Sequence, residues 1–213
     1  MSDTPIPNAD DSLELIRQAV AGDRGAWNVI VQAHGPRLRR IVRLRLDPRL
    51  AGLVDPSDVL QDAYKLVLDR LPQYLEQPKV SFFLWLRYLV GDALSRVHRR
   101  QLRVKKRRPA NGVHPFPEAS SVNLAGLLVG REKSPVSEAI LEERRRRVIA
   151  ALDSLATDDR EVLVLRHFEQ LTALETSTVL GITEAAARKR YLRALERITS
   201  LLKGIDADRE VVS

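Results

Sequence analysis

The chain contains no cysteine, which excludes a disulfide framework, a thiol redox switch and a Cys-ligated zinc site. Aromatic residues make up only 5% of its 213 residues. That scarcity disfavours a β-sandwich or barrel and suits helices packed through Leu, Val and Ala. No apolar run is long enough to span a bilayer. The opening MSDTPIPNADD is acidic and polar, unlike a signal peptide, so the protein is expected in the cytoplasm. Histidines 34, 98, 114 and 167 are scattered without ligand spacing, so no metal site is expected. No nucleophile-base-acid set, glycine-rich phosphate loop or carboxylate pair stands out. No catalytic residue and no cofactor is therefore assigned.

Positive charge and helical pattern are what the sequence has in quantity. Hydrophobic residues at 44% fit a folded chain, and charged residues at 30% fit one rich in surface helices. A formal net charge of +7 points to an anionic partner, with nucleic acid the first candidate. A merely soluble basic protein is the competing reading.

Apolar spacing predicts all-α architecture, and strand signals are almost absent. Residues 1–11 read as a disordered lead. From Ser12 a helix carries Leu13, Ile16 and Val20 on one face and ends at Gly22; Gly35-Pro36 marks a break or kink in the next. Asp55 is a strong N-cap signal, with Pro56 at the first helical position and Asp58 three residues after the cap. PQYLEQPKV, with two prolines, reads as a loop, and Ser81 as the cap of a long apolar helix. Residues 103–136 lack a sustained period and read as a flexible linker. Two small helical domains follow from this, at 12–102 and 137–203, with a tail at 204–213.

The stretch TVLGITEAAARKRYLRAL, residues 178–195, has the form of a helix-turn-helix. Gly181 supplies the left-handed turn, Ile182 plugs the angle and Thr183 caps the second helix. On that helix Ala187, Tyr191, Leu195, Ile198 and Leu202 form the expected buried stripe, leaving Arg188, Lys189, Arg193 and Arg197 outside it. Ala185 and Ala186 let the helix approach a surface closely. Long cationic side chains there can reach phosphates or guanine edges in a major groove. A solvated face on an ordinary helical hairpin is the alternative.

Three segments now carry a resemblance. DPSDVLQDAY, FFLWLRYLVGDALSRVHRR and LDSLATDDREVLVLRHFEQLT with the following helix-turn-helix stand in the order and spacing of a bacterial sigma factor of the sigma-70 family, extracytoplasmic-function (ECF) group. The chain is identified as resembling that group from about Ser12 to Lys203, the linker excepted, and SSVNLAGLLVGREKSP resembles planctomycete-type members. There are departures: Asp92 and Arg96 replace the family's Asn and Asp. Glu175-Thr176-Ser177 replaces Glu-Ile-Ala, putting two hydroxyls where small apolar packing is expected and threatening to loosen the helix pairing.

The resemblance implies a transcription initiation factor, not itself an enzyme, that binds core RNA polymerase and helps separate promoter strands. It places polymerase binding on Asp58, Gln61, Asp62, Lys65 and Asp69, which share one helix face opposite Val59, Ala63, Val67 and Leu71. Capture of the single-stranded −10 element falls to Tyr74, Trp85, Tyr88, Arg96, Arg99 and Arg100, where rings can stack bases and cations follow the backbone. Phe83 and Leu86 read as core; Tyr74 and Trp85 suit either role. Duplex −35 contacts fall to Thr183, Glu184, Arg188, Lys189 and Arg193. The free protein is expected to be a monomer without membrane insertion, and an anti-sigma factor is a partner the family allows. A stand-alone helix-turn-helix regulator is the alternative function. A single-strand RNA-binding module would explain the basic run but not the second domain.

Overall fold

The computed structural model describes residues 9–102, 119–128 and 138–210, with side chains placed for 13–102, 119–127 and 141–201. Every regular element among them is helical. The chain forms two compact units, one of residues 1–43 and 50–117, the other of residues 44–49 and 118–213.

In the first unit α1 (Ala9–Val20) ends at Gly22, whose φ of 93° only glycine adopts freely. Asp23 then starts α2 (Arg24–Arg45) by accepting from the Gly25 amide at 2.6 Å. The Gly35-Pro36 step does not break this helix. Pro36 lies on its solvent side, where a carbonyl deprived of its partner can bond water, while Leu38, Ile41 and Val42 pin the other side in the core. Gly35 has a packing reason: a Cβ there would stand 3.2 Å from the Tyr64 hydroxyl.

The next helix, α3 (Pro56–Glu76), starts as its sequence predicts, the Asp55 carboxylate accepting from the Ser57 amide at 2.7 Å. It runs on through Pro72, so residues 72–76, read as loop, are helical. Leu71 and Tyr74 are buried on either side of that proline, and their burial outweighs its helix penalty of about 3 kcal/mol. Ser81 caps α4 (Phe82–Leu102), which packs along α3, with Phe83, Leu86, Leu89, Val90 and Leu94 inside.

The second unit contains a helix the sequence reading assigned to linker. Its α5 (Ser121–Leu128) buries Leu124 and Ala125 against α6 (Glu138–Asp153). The rest of the linker and residues 1–8 lie outside the described residues. α7 (Thr157–Leu163) passes into one π turn, Val164–Phe168, closed by the Glu169 amide bonding the Val164 carbonyl. Then come α8 (Ala173–Leu180) and α9 (Glu184–Glu210), which continues through residues expected to be tail.

A buried charge cluster joins this unit's parts. The Arg45 guanidinium, 1% exposed, donates to Glu169 at 2.5 Å and to Glu161 at 2.6 and 3.2 Å. Burial opposes its charge, yet the two carboxylates outweigh that cost and hold its pKa above the ordinary arginine value. The Leu44 carbonyl accepts from the Ser120 amide, and the Asn123 side chain donates to the carbonyls of Leu44 and Leu46. Residues 44–46 are thereby buried within the second unit.

Candidate nucleic-acid interface

On α3 the predicted face forms as read. Asp58, Gln61, Asp62, Lys65 and Asp69 are all exposed, and Val59, Ala63, Val67 and Leu71 are buried opposite them. Lys65 Nζ lies 3.1 Å from Asp62 Oδ1, a surface pair that leaves Asp58 and Asp69 to set the stripe's sign. The cap bond is made by Asp55, which frees the Asp58 carboxylate from that duty. Leu68, half exposed beside this stripe, is an apolar surface residue that the sequence reading did not name.

The face of α4 is built differently. Trp85, Tyr88, Arg96, Arg99 and Arg100 fall within one side of the helix by its 100° step, over a length of about 22 Å. All five keep solvent exposure. Trp85 packs on Phe82 (5.8 Å between centroids, near-parallel) and on Tyr74 (4.8 Å), so its position is fixed from behind. His34 meets Phe82 edge-on, and the Arg37 guanidinium lies 3.4 Å over the Phe83 ring. Phe83 and Leu86 are core, as expected.

Tyr74 needs correcting. It sits on α3, not in a loop, and its ring is 6% exposed, so it offers no open face to a base. Its hydroxyl donates to the Val80 carbonyl at 3.1 Å. Burial pushes the phenols of Tyr74 and Tyr88 above their usual pKa, keeping both as neutral donors. Asp92, one of the departures, lies 3.6 Å from Arg70 on α3 and so serves helix pairing.

In the second unit the helix-turn-helix closes as the sequence predicts. Gly181 is left-handed at φ 65°, and Thr183 Oγ1 accepts from the Ala186 amide. A capping box missed in the sequence starts α8: Thr172 Oγ1 accepts from the Glu175 amide, and the Glu175 carboxylate from the Thr172 amide. The hydroxyls of Thr176 and Ser177 do not loosen the pairing. Both are buried, but they donate to the Thr172 and Leu174 carbonyls of their own helix at 2.8 and 2.7 Å.

The inward stripe of α9 is Ala187, Ala194 and Ile198, all buried, with Tyr191 partly buried; Leu195, placed in it by the sequence reading, is exposed. By the 100° helical step Ala194 stands about 20° from Ala187 and Leu195 about 80°, so Ala194 lies in line with Ala187, Tyr191 and Ile198. Leu202 falls outside the described side chains. Arg188, Lys189 and Arg193 are exposed around the opposite side, with Leu192 among them. Glu184 holds Arg188 at 2.5 Å one turn toward the helix N-terminus, so the two act as a pair. The run Arg144–Arg147 belongs to the surface, with Arg147 paired to Glu143.

Residues 145–198, which contain this helix-turn-helix, match the family model for Sigma-70, region 4. The chain is 28% identical over 184 residues to the ECF RNA polymerase sigma factor SigD of Mycobacterium tuberculosis, covering 86% of this chain and 80% of that one. It is 27% identical over 196 residues to RNA polymerase sigma factor CnrH of Cupriavidus metallidurans, covering 92% and 95%. Identity to the probable RNA polymerase sigma factor RfaY of Xanthomonas campestris is 32% over 138 residues, 65% of this chain but 32% of that protein. The chain thus spans about a third of that relative's length. The solved structure of CnrH in complex with the cytosolic domain of CnrY aligns at TM-score 0.54 and 23% identity, covering 91% of this chain and 97% of that one, and has the same helical fold. A match to region 4 over the helix-turn-helix, joined to likeness running through both units, makes the chain similar to the ECF sigma factors of the sigma-70 family.

Proposed function

We propose that this chain is a sigma factor that divides promoter recognition between its two units. The acidic face of α3 docks on a basic surface of core RNA polymerase, where opposite charge speeds and orients association. The face of α4 takes the unpaired −10 strand: Trp85 and Tyr88 stack bases, and Arg96, Arg99 and Arg100 follow the phosphates. The N-terminal turns of α9 enter the duplex −35 element, with Arg188 reading a base edge and Lys189 and Arg193 engaging the backbone or neighbouring bases. Thr183 and Glu184 set the entry of that helix, the first as cap and the second by holding Arg188.

One observation carries the reading. Rings and cations share a face of α4 in the unit whose α3 presents the acidic stripe, a combination a duplex-binding repressor has no use for. The reading places the protein in the cytoplasm as a free monomer, with an anti-sigma factor as a further partner of the same proposal. Run-off transcription with purified core polymerase and genomic DNA tests it. New transcripts with defined start sites are expected only when the protein is added. Duplex binding without any new transcript would instead favour a stand-alone regulator.

A further inference from the structure

Tyr74 is buried where a phenylalanine would pack equally well. Its ring meets Phe82 at 5.3 Å and Trp85 at 4.8 Å, and neither contact uses the hydroxyl. The hydroxyl reaches instead across the α3–α4 connection to the Val80 carbonyl. That connection, residues 77–81, is short and held at both ends. The Gln77 amide bonds the Gln73 carbonyl, and Ser81 accepts from the Leu84 amide through its hydroxyl and from the Trp85 amide through its carbonyl. Between those ends Pro78 and Lys79 are exposed. The phenol bond thus ties the Val80 backbone directly to the ring stack.

We propose that Tyr74 is a positioning residue for strand capture: its hydroxyl ties residues 77–81 to the ring stack behind Trp85 and so sets which bases the loop accepts. The proposal rests on the reading that α4 captures unpaired bases. A loop that borders a stacking ring discriminates between bases only if its backbone groups and Lys79 hold one position, because a mobile edge adapts to any base. The ring supplies rigidity to Trp85, and the hydroxyl extends that rigidity to the loop.

The test uses polymerase holoenzyme assembled with wild type, Tyr74→Phe or Trp85→Ala, each in the full chain. Short single-stranded DNA from a randomised pool is selected on the wild-type holoenzyme, and the selected strand is compared with a scrambled one. Tyr74→Phe is expected to bind core polymerase and the scrambled strand as wild type does. Its preference for the selected strand should fall about three- to tenfold, the range open to one net hydrogen bond. Amide hydrogen exchange at Lys79 and Val80 should quicken in parallel. Unchanged preference in Tyr74→Phe, with strand binding lost in Trp85→Ala, would overturn the tether and leave strand capture standing. Lost preference without faster exchange would also overturn it, since the effect would not run through the loop. If Trp85→Ala binds and discriminates as wild type, strand capture by α4 is itself wrong and the tether falls with it.

Discussion

α4 and α9 are both long helices lined with cations, yet under the proposed function they take different forms of DNA. Beside the arginines of α4 stand Trp85 and Tyr88, partly exposed and, for Trp85, braced by Tyr74 and Phe82. The one ring of α9, Tyr191, turns inward, leaving Arg188, Lys189, Leu192 and Arg193 outside. A base offers its π face only when unpaired, whereas a duplex offers phosphates and groove edges. On the proposed reading, the placement of rings, more than the count of charges, separates a single-strand surface from a duplex one.

The harshest way to break this comparison is to remove one unit and leave the other. Arg45→Ala strands the carboxylates of Glu169 and Glu161 and should cost the second unit about 3–5 kcal/mol. Amide exchange should rise through α7 to α9, and duplex −35 binding should fail. Exchange across the cores of α3 and α4 should stay as in wild type. A concerted loss of protection in both units would show that they do not behave as separate tools.

Charge reversal on α3 comes next in size. Asp58→Lys with Asp62→Lys should weaken core polymerase binding by about 3 kcal/mol or more, because like charges then meet across the contact. The cap bond belongs to Asp55, so the helix should survive. Wild-type affinity in a titration with labelled core enzyme would remove this face from the interface.

A smaller effect sharpens the α9 side. Arg188→Ala should cost about 1–3 kcal/mol and alter base preference in the −35 element. A loss uniform across sequences and strongly salt-dependent would make Arg188 a phosphate contact.

The mildest test is by pH. Burial, aided by the charge of Arg37, lowers the His34 pKa to about 4, below its ordinary 6.5. Unfolding releases His34 to take up a proton between those values, so its contribution is full above pH 6.5 and declines as pH falls toward 4. The loss should be on the order of 2 kcal/mol for the first unit. In His34→Gln, the fall in thermal stability from pH 7 to 4 should be shallower. An identical slope would rule His34 out as its source.

How much of this was written in the sequence depends on how local each signal is. The helix-turn-helix was legible because Gly181 and Thr183 act within one turn, and so was the start of α3, set by Asp55 and Pro56. The faces of α3 and α4 followed from simple helical spacing. Pro36 and Pro72 misled, because burial of Ile41, Leu71 and Tyr74 overrides a local penalty. α5 was missed since its one buried turn, Leu124 and Ala125, is too short to set up a period. The slip from Ala194 to Leu195 is one of phase: the 100° step carries the line from Ala187 to Ile198 through position 194, while apolarity alone pointed to 195. The Arg45 cluster was out of reach: its partners lie 116 and 124 positions away, and the π turn before Glu169 has no periodic signature.

Permanganate reactivity of unpaired thymines tests the division of labour most directly. At saturating holoenzyme on one duplex promoter, Arg188→Ala should give wild-type reactivity, because full occupancy makes up for weaker duplex reading. Trp85→Ala, equally bound, should give severalfold less, since the stacking that holds bases unpaired is gone. Equal reactivity in Trp85→Ala and wild type would contradict the account and leave Trp85 without a part in strand capture.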